Sequence, residues 1–236
     1  MDIKELSQIS GPPEKHWYYT AKFDLLASTV GQFGAQHVAD IGAGSGVFAR
    51  LLLERTGCRE ATCVDPAYDA DRDESVNGKP LRFRRSPIGG NFDLVLLMDV
   101  MEHVDDDVAL LVDTASSLRS GTPLFITVPA FQFLWSAHDE FLDHRRRYTA
   151  QTLARRITGA HLQISRIRYF YATILPPVAV LRLASRGRAP SKGSDLRPTP
   201  AGVAWILGKA LAAERRLLYP FNRLAGLSVV AVARKV

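Results

Sequence analysis

Cysteine is scarce here: Cys58 and Cys63 are the only two in 236 residues. They stand five apart in one stretch, which supports neither a disulfide framework nor a cysteine-based zinc site and fits a reducing cytoplasm. No window reaches the roughly 18 uninterrupted apolar residues of a membrane-spanning helix. The opening "MDIKELSQISGPPEKHWYY" lacks the basic start and continuous apolar run of a secretory signal, so neither translocation nor a membrane span is expected. Internal repeats are missing too. With 47% apolar residues the chain can bury one sizeable core, with room for an appended lobe.

Acids are missing from a long segment. Between His144 and Lys192 there is no Asp or Glu at all. Residues 1–143 carry 12 Lys/Arg against 22 Asp/Glu, a net of −10, whereas residues 144–236 carry 18 against 2, a net of +16. Such a bias is either a solvated basic face or the footprint of an anionic partner. The aromatics interleaved with it add weight to the second reading.

What is present reads as strands alternating with helices. A helical entry segment, "HWYYTAKFDLLAST", precedes the strand "HVADI", the helix "GVFARLLLERTG", the strand "EATCVDP" and a short connection to "LRFRRS". Then come "FDLVLLMDV", a helix from about Asp106 to Leu118, "PLFITVPA" and, late in the chain, "LSVVAVARK". These strands are continuous apolar runs, the pattern of a parallel sheet covered on both faces. The expected fold is α/β: a Rossmann-like, doubly wound, mostly parallel sheet with helices on both faces and a basic C-terminal lobe. Residues 1–34 are expected as an N-terminal helical cap and 35–236 as the main domain, with 131–225 forming a lid and basic insertion within it.

In such a sheet the ligand crevice lies beyond the strand ends, near the switch in strand order. "VADIGAGSGV" falls there. A dinucleotide fingerprint would need its third glycine at position 47, where valine stands. The pattern is instead Asp40-x-Gly42-Ala43-Gly44-x-Gly46. Bare backbone and free N–H groups at a helix start let a ligand approach closely, and an acid at the strand end suits an ammonium rather than a pyrophosphate. Asp65, followed by Pro66 and about twenty residues past the glycines, occupies the position from which a carboxylate accepts hydrogen bonds from a ribose; its plainer role is a turn or helix cap.

"VADIGAGSG", "VDP" and "FDLVLLMDVMEHV" together resemble the class I S-adenosylmethionine-dependent methyltransferases over roughly residues 35–130. The resemblance implies a reversed last hairpin, the methionine end of S-adenosylmethionine near Asp40 and Gly42–Gly46, its ribose on Asp65, and Asp99 with Val100 close to the methionine moiety. Where that family often has an acid for the adenine amino group, this chain reads "RRSPIGG", which leaves the backbone of Ser86 or Ile88. "EKHWYYTAK" and "VPAFQFLWSAHDEFLDHRRRYTAQTLARRI" resemble a bacterial methyltransferase subgroup that often looks associated with envelope glycan or lipid metabolism.

Methyl transfer from a sulfonium is an in-line displacement, so the protein must align the partners, exclude water and, for a hydroxyl acceptor, remove a proton. Candidate bases are His138, with Asp139 beside it, then His103; His144 is a further candidate. The alternative for His103 is capping the next helix through "EHVDDD". Phe131, Phe133 and Trp135 would form an apolar acceptor wall. His144, Arg147 and its neighbours Arg145 and Arg146, Tyr148, Trp17 and Tyr18 complete the expected acceptor contacts, the arginines meeting an anion. The competing reading of "HDEFLDHRRRYT" is a structural hinge whose arginines and His144 hold acids of the fold. Tyr169–Leu183 is either a buried strand followed by a core helix, or an interfacial helix on an anionic membrane with Arg182, Arg186 and Arg188 at its edge.

The expected function is S-adenosylmethionine-dependent methylation of a small-molecule or lipid- or glycan-linked acceptor, O-methylation first, in the cytoplasm or peripherally on the inner membrane face. No metal and no nucleic acid are expected, since the N/D-P-P-Y/F signature of DNA amino-methylation is missing. An NAD(P)-dependent oxidoreductase and a non-catalytic cofactor-binding membrane adaptor are the alternatives.

Overall fold

The computed structural model describes residues 12–86, 90–184 and 199–236. After a 3-10 turn at Pro13–Lys15, helix α1 spans Trp17–Phe33. Its N-cap is His16, which accepts from the Tyr18 N–H, and it stops at Gly34 in the left-handed conformation (φ +59°). Then follow β1 (His37–Ile41), α2 (Val47–Arg55), β2 (Glu60–Val64), β3 (Arg72–Val76), β4 (Lys79–Arg84), β5 (Leu94–Met98), α3 (Asp107–Ser116) and β6 (Pro123–Pro129). The second half holds α4 (Ala137–Phe141), α5 (Ala150–Gly159), β7 (Leu162–Phe170), α6 (Leu175–Ala184), α7 (Ala201–Ala213), a π-helical turn (Glu214–Leu218) and β8 (Ser228–Lys235).

The strands make one eight-stranded sheet in the order β3-β4-β2-β1-β5-β6-β8-β7. Neighbours from β4 to β6 are parallel, and β8 runs antiparallel between β6 and β7. The order therefore reverses at β1, between β2 and β5, and ligands of open α/β sheets sit at that point. Alternate residues of each central strand feed opposite layers. Leu94, Leu96 and Met98 join Tyr19, Leu26 and Leu52 on one face, while Val95 and Leu97 join Leu111, Leu153 and Ile157 on the other. Both faces being covered accounts for the unbroken apolar strands; each buried Leu, Ile or Phe contributes about 1.5–3 kcal/mol.

Three features depart from the sequence expectations. Between β2 and β4 the chain forms an extra antiparallel strand, β3, rather than a simple connection. Its turn is Asn77-Gly78, both at positive φ, the pairing that two-residue hairpins require. Residues 131–225, expected as lid and insertion, also supply α5 and β7 to the sheet layers. And α6 is no core helix, since none of its residues is buried. No helix among the described residues is long and apolar enough to cross a membrane.

Candidate active site

The glycine turn follows β1 at the switch point. Gly42 lies at φ +66°, and a Cβ there would come within 2.6 Å of Val100 Cγ1. Gly46 lies at φ +71°, and its Cβ would come within 2.8 Å of the Phe83 ring. Both positions exclude any side chain by backbone conformation and by space. The Gly42 N–H donates to the Val64 carbonyl (2.7 Å), drawing the turn over the end of β2. Helix α2 starts from Gly46 without a side-chain cap, so its first N–H groups face the crevice.

Asp65 locks this arrangement. Its Oδ2 accepts from the Gly44 N–H and its Oδ1 from the Ala67 N–H, each at 2.9 Å. A carboxylate offers about four acceptor positions, so Asp65 keeps capacity for a diol while acting as the turn residue before Pro66. Asp40 lies buried beneath the turn, in register with Cys63 and Leu96. Burial pushes its carboxyl up to about 6, with the charge of Asp65 adding to the rise. Ser86 is exposed just past the end of β4; Ile88 lies outside the described residues. The crevice thus offers bare backbone, a ribose-competent carboxylate and buried negative charge, which fit S-adenosylmethionine.

Asp99 follows β5 with φ +56°. Its Oδ1 accepts from Thr127 Oγ1 (2.9 Å), and its Oδ2 forms an ion pair with Lys22 of α1. Lys22 is buried and sits 5.1 Å from the Tyr18 ring centroid. Burial alone would lower the ammonium; Asp99, helped by Tyr18, overrides it and holds Lys22 above its usual value. Burial would likewise raise Asp99, but Lys22 and Thr127 hold it below the carboxylate range. Lys22 was not singled out from the sequence, though a lysine among Tyr19, Phe23 and Leu26 on the buried helix face is a signal.

The loop after β6 is built as a clamp. Asp139, fully buried, accepts from Arg147 Nε (2.7 Å) and Nη2 (3.0 Å), from the Ser136 N–H (2.9 Å), and pairs with His144 Nδ1 (2.9 Å). Despite the opposing effect of burial, His144 and Arg147 hold its carboxyl well below the usual range. Its oxygens are occupied, so Asp139 does not serve as a base. Arg147 also donates to the Ala130 carbonyl (3.0 Å), and Arg145 and Arg146 pair with Asp105 and Asp107. Tyr148 is buried, and its hydroxyl donates to Asp107 (2.8 Å) with the Met101 carbonyl also within reach (3.0 Å). Arg147 and Tyr148 therefore hold the hinge instead of lining an acceptor pocket, and His144 is committed at Nδ1. The cap of α3 is Asp106, which accepts from the Val108 and Ala109 N–H groups, not His103.

The other expected acceptor contacts divide. Phe131 stacks on Tyr169 (5.1 Å) and Phe133 (5.4 Å), beside the half-buried Trp135. Tyr18 stacks on Tyr171 (4.8 Å). Trp17 instead donates to Thr199 Oγ1 (3.1 Å) and lines a cavity of about 270 Å³ between α1 and α7, with Asp24, Trp205 and Arg215, away from the glycine turn. The histidines do converge: His103 and His144 meet edge to face at 4.8 Å, and His138 lies 6.5 Å from His144. Glu102, not anticipated from sequence, is fully buried beside them, and neither carboxylate oxygen has a hydrogen-bond partner among the described residues.

A glycine cradle at the switch of a mixed sheet, closed by an acid at the end of β2, defines the S-adenosylmethionine-binding class of Rossmann-like folds. The chain belongs to the methyltransferase domain family, whose model matches residues 15–169. It is 32% identical over 117 residues to a ubiquinone biosynthesis O-methyltransferase of Parvibaculum lavamentivorans, which covers 45% of this chain and 46% of that protein. The chain thus spans about half the length of the curated relatives it matches. A sarcosine dimethylglycine methyltransferase structure from Galdieria sulphuraria superimposes with a TM-score of 0.55 at 14% identity, covering 92% of this chain and 86% of that one. The plantazolicin methyltransferase BamL, solved with S-adenosylhomocysteine, gives 0.54 at 13% identity, with 95% and 85% covered. Both share the fold. The cofactor of the family is S-adenosylmethionine, and the oxidoreductase alternative finds no support.

Proposed function

We propose that this chain transfers a methyl group from S-adenosylmethionine to a hydroxyl of a small-molecule or lipid-linked acceptor. The observation that carries the reading is the turn in which Gly42 and Gly46 admit no Cβ while Asp65 fastens Gly44. S-adenosylmethionine supplies an electrophilic methyl on a sulfonium. Asp65 would hold its ribose, and the backbone of Gly42–Gly46 its amino-acid end. Phe131, Phe133 and Trp135 would exclude water from the acceptor side. His138, or His103, would accept the proton of the acceptor hydroxyl in a metal-free site. The ubiquinone-biosynthesis relatives support oxygen as the acceptor atom.

A lipid-linked acceptor is favoured by the surface of the second half. Leu181 on α6, Trp205 and Ile206 on α7, and Leu217, Phe221 and Leu224 after it are all exposed. Exposed Lys209, Arg216 and Arg223 accompany them. The one described acid after position 170, Glu214, is buried and accepts from the Ala172 and Thr173 N–H groups. Apolar side chains among unopposed cations suit an anionic leaflet, where each Lys or Arg contributes about 1 kcal/mol. These features support a reading in which the protein works peripherally on the cytoplasmic face of the inner membrane.

The test incubates the protein with methyl-labelled S-adenosylmethionine and extracts split into lipid, glycan and small-molecule fractions. Label is expected in the lipid or small-molecule fraction as an alkali-stable ether. A protein that binds the cofactor yet labels none of the fractions would overturn the reading.

A further inference from the structure

We propose that Glu102, His103 and His144 bind one divalent first-row transition-metal cation beside the acceptor loop, contrary to the metal-free site expected from the sequence. One ligand atom from each residue lies within 4.8 Å of the other two. Ligands sharing a cation at roughly 2.1 Å stand about 3–4 Å apart, so small side-chain motions close the set. Two imidazoles and one carboxylate are a ligand set that such cations accept while keeping open positions.

Two features point to a cation independently of that spacing. Glu102 is fully buried with both carboxylate oxygens unpartnered. A buried carboxylate without partners is costly; Asp139, equally buried, has donors on both oxygens. Secondly, His144 gives its Nδ1 to Asp139, which leaves Nε2 as the ligand atom. A carboxylate behind a metal-binding imidazole fixes its tautomer and raises its basicity, and Arg147 in turn fixes Asp139.

The cation's role rests on the methyl-transfer reading above. An acceptor hydroxyl on an open position would lose its proton to water near neutral pH, because the cation stabilises the oxyanion. That oxygen would form the new C–O bond as the S–C bond breaks, its electron pair staying on sulfur. The base sought among the histidines would then be a solvent water, with His103 and His144 holding the cation.

The experiment titrates zinc and, separately, manganese into chelator-stripped full-length protein by calorimetry. S-adenosylmethionine binding is measured on the same samples as the check of folding. One equivalent of metal is expected. Glu102→Gln and His103→Ala should each weaken it by about 100-fold, and Asp139→Asn by roughly 10-fold, with cofactor affinity retained. His37→Ala, distant from the cluster, should bind metal as the parent does. The proposal is overturned if the folded, cofactor-binding parent takes up neither metal stoichiometrically, or if Glu102→Gln and His103→Ala bind as tightly as the parent. Metal binding without any methyl transfer would support the site and count against the methyl-transfer role.

Discussion

Lys22 in α1 and Asp99 at the end of β5 form an ion pair across 77 residues of sequence, fastening the first helix to the floor of the crevice. Lys22 is only 3% exposed, whereas Asp99 keeps about a third of its side chain accessible, so removing the lysine leaves a partly solvated carboxylate held by Thr127. Lys22→Met should cost about 1–2 kcal/mol in urea unfolding. The pH dependence has a definite sign. Asp99 is depressed, so its contribution is present above the unfolded carboxylate range and lost as pH falls through its folded value. Lys22 is raised, so its contribution is present below the unfolded lysine range and lost as pH rises through its folded value. The parent-minus-variant difference should therefore be largest and flat between about pH 4 and 10. A difference that varies steeply around pH 7 would contradict the pairing.

Asp40 predicts the opposite trend. Its folded value of about 6 exceeds the unfolded value of about 3.9, so the folded state binds the proton more tightly and stability falls as pH rises between the two. In the cofactor-free protein Asp40→Asn should gain roughly 2–3 kcal/mol at pH 7.5 over the parent. S-adenosylmethionine affinity of the parent should rise between pH 5 and 7 as Asp40 ionises beneath the crevice. Calorimetric titration at several pH values checks this, and an affinity independent of pH would count against it.

The glycine turn offers a two-part test. Gly42→Ala places a methyl 2.6 Å from Val100 in a left-handed backbone that costs alanine about 1–2 kcal/mol. Cofactor binding should fall by more than about tenfold, since roughly 1.4 kcal/mol already corresponds to that factor. Adding Val100→Ala removes the clash but not the backbone cost, so the double variant should regain part of the thermal stability and not all of it.

Asp139→Asn leaves Arg147 without its carboxylate in the interior. A loss of about 3 kcal/mol is expected, together with faster amide exchange over residues 131–149, while exchange in β1 and β5 stays slow. Uniform acceleration across the sheet would show that Asp139 supports the whole fold rather than the loop.

The second-half surface is tested with vesicles. The protein should pellet with vesicles containing anionic lipid and remain in the supernatant with neutral ones. Combined Leu181→Ser, Trp205→Ser and Phe221→Ser should release it. Equal recovery from both vesicle types would remove the membrane from the proposed function.

The sheet and the glycine turn were legible because their signals are local: apolar runs of strand length, and Asp40, the glycines and Asp65 in fixed spacing. The Asn77-Gly78 turn is an equally local hairpin signal. What stayed hidden depends on partners distant in sequence. Nothing near "HDEFLDHRRRYT" says that Asp139 takes both Arg147 and His144, or that Tyr148 reaches Asp107. Sequence reading held the hinge and the acceptor wall as rivals because it sees residue types but not which hydrogen-bond positions are already filled. Glu102 was invisible for the same reason, since its significance lies in the partners it does not have.

The position of β8 constrains how the protein is made. Although it follows β7 in the chain, it lies between β6 and β7 and pairs with both. During synthesis β7 therefore has helix α5 to pack against but no strand to pair with until residues 228–235 have been made. The crevice at β1 can form on the nascent chain, but the segment between β6 and β7 acquires its second anchor only once β8 has been made.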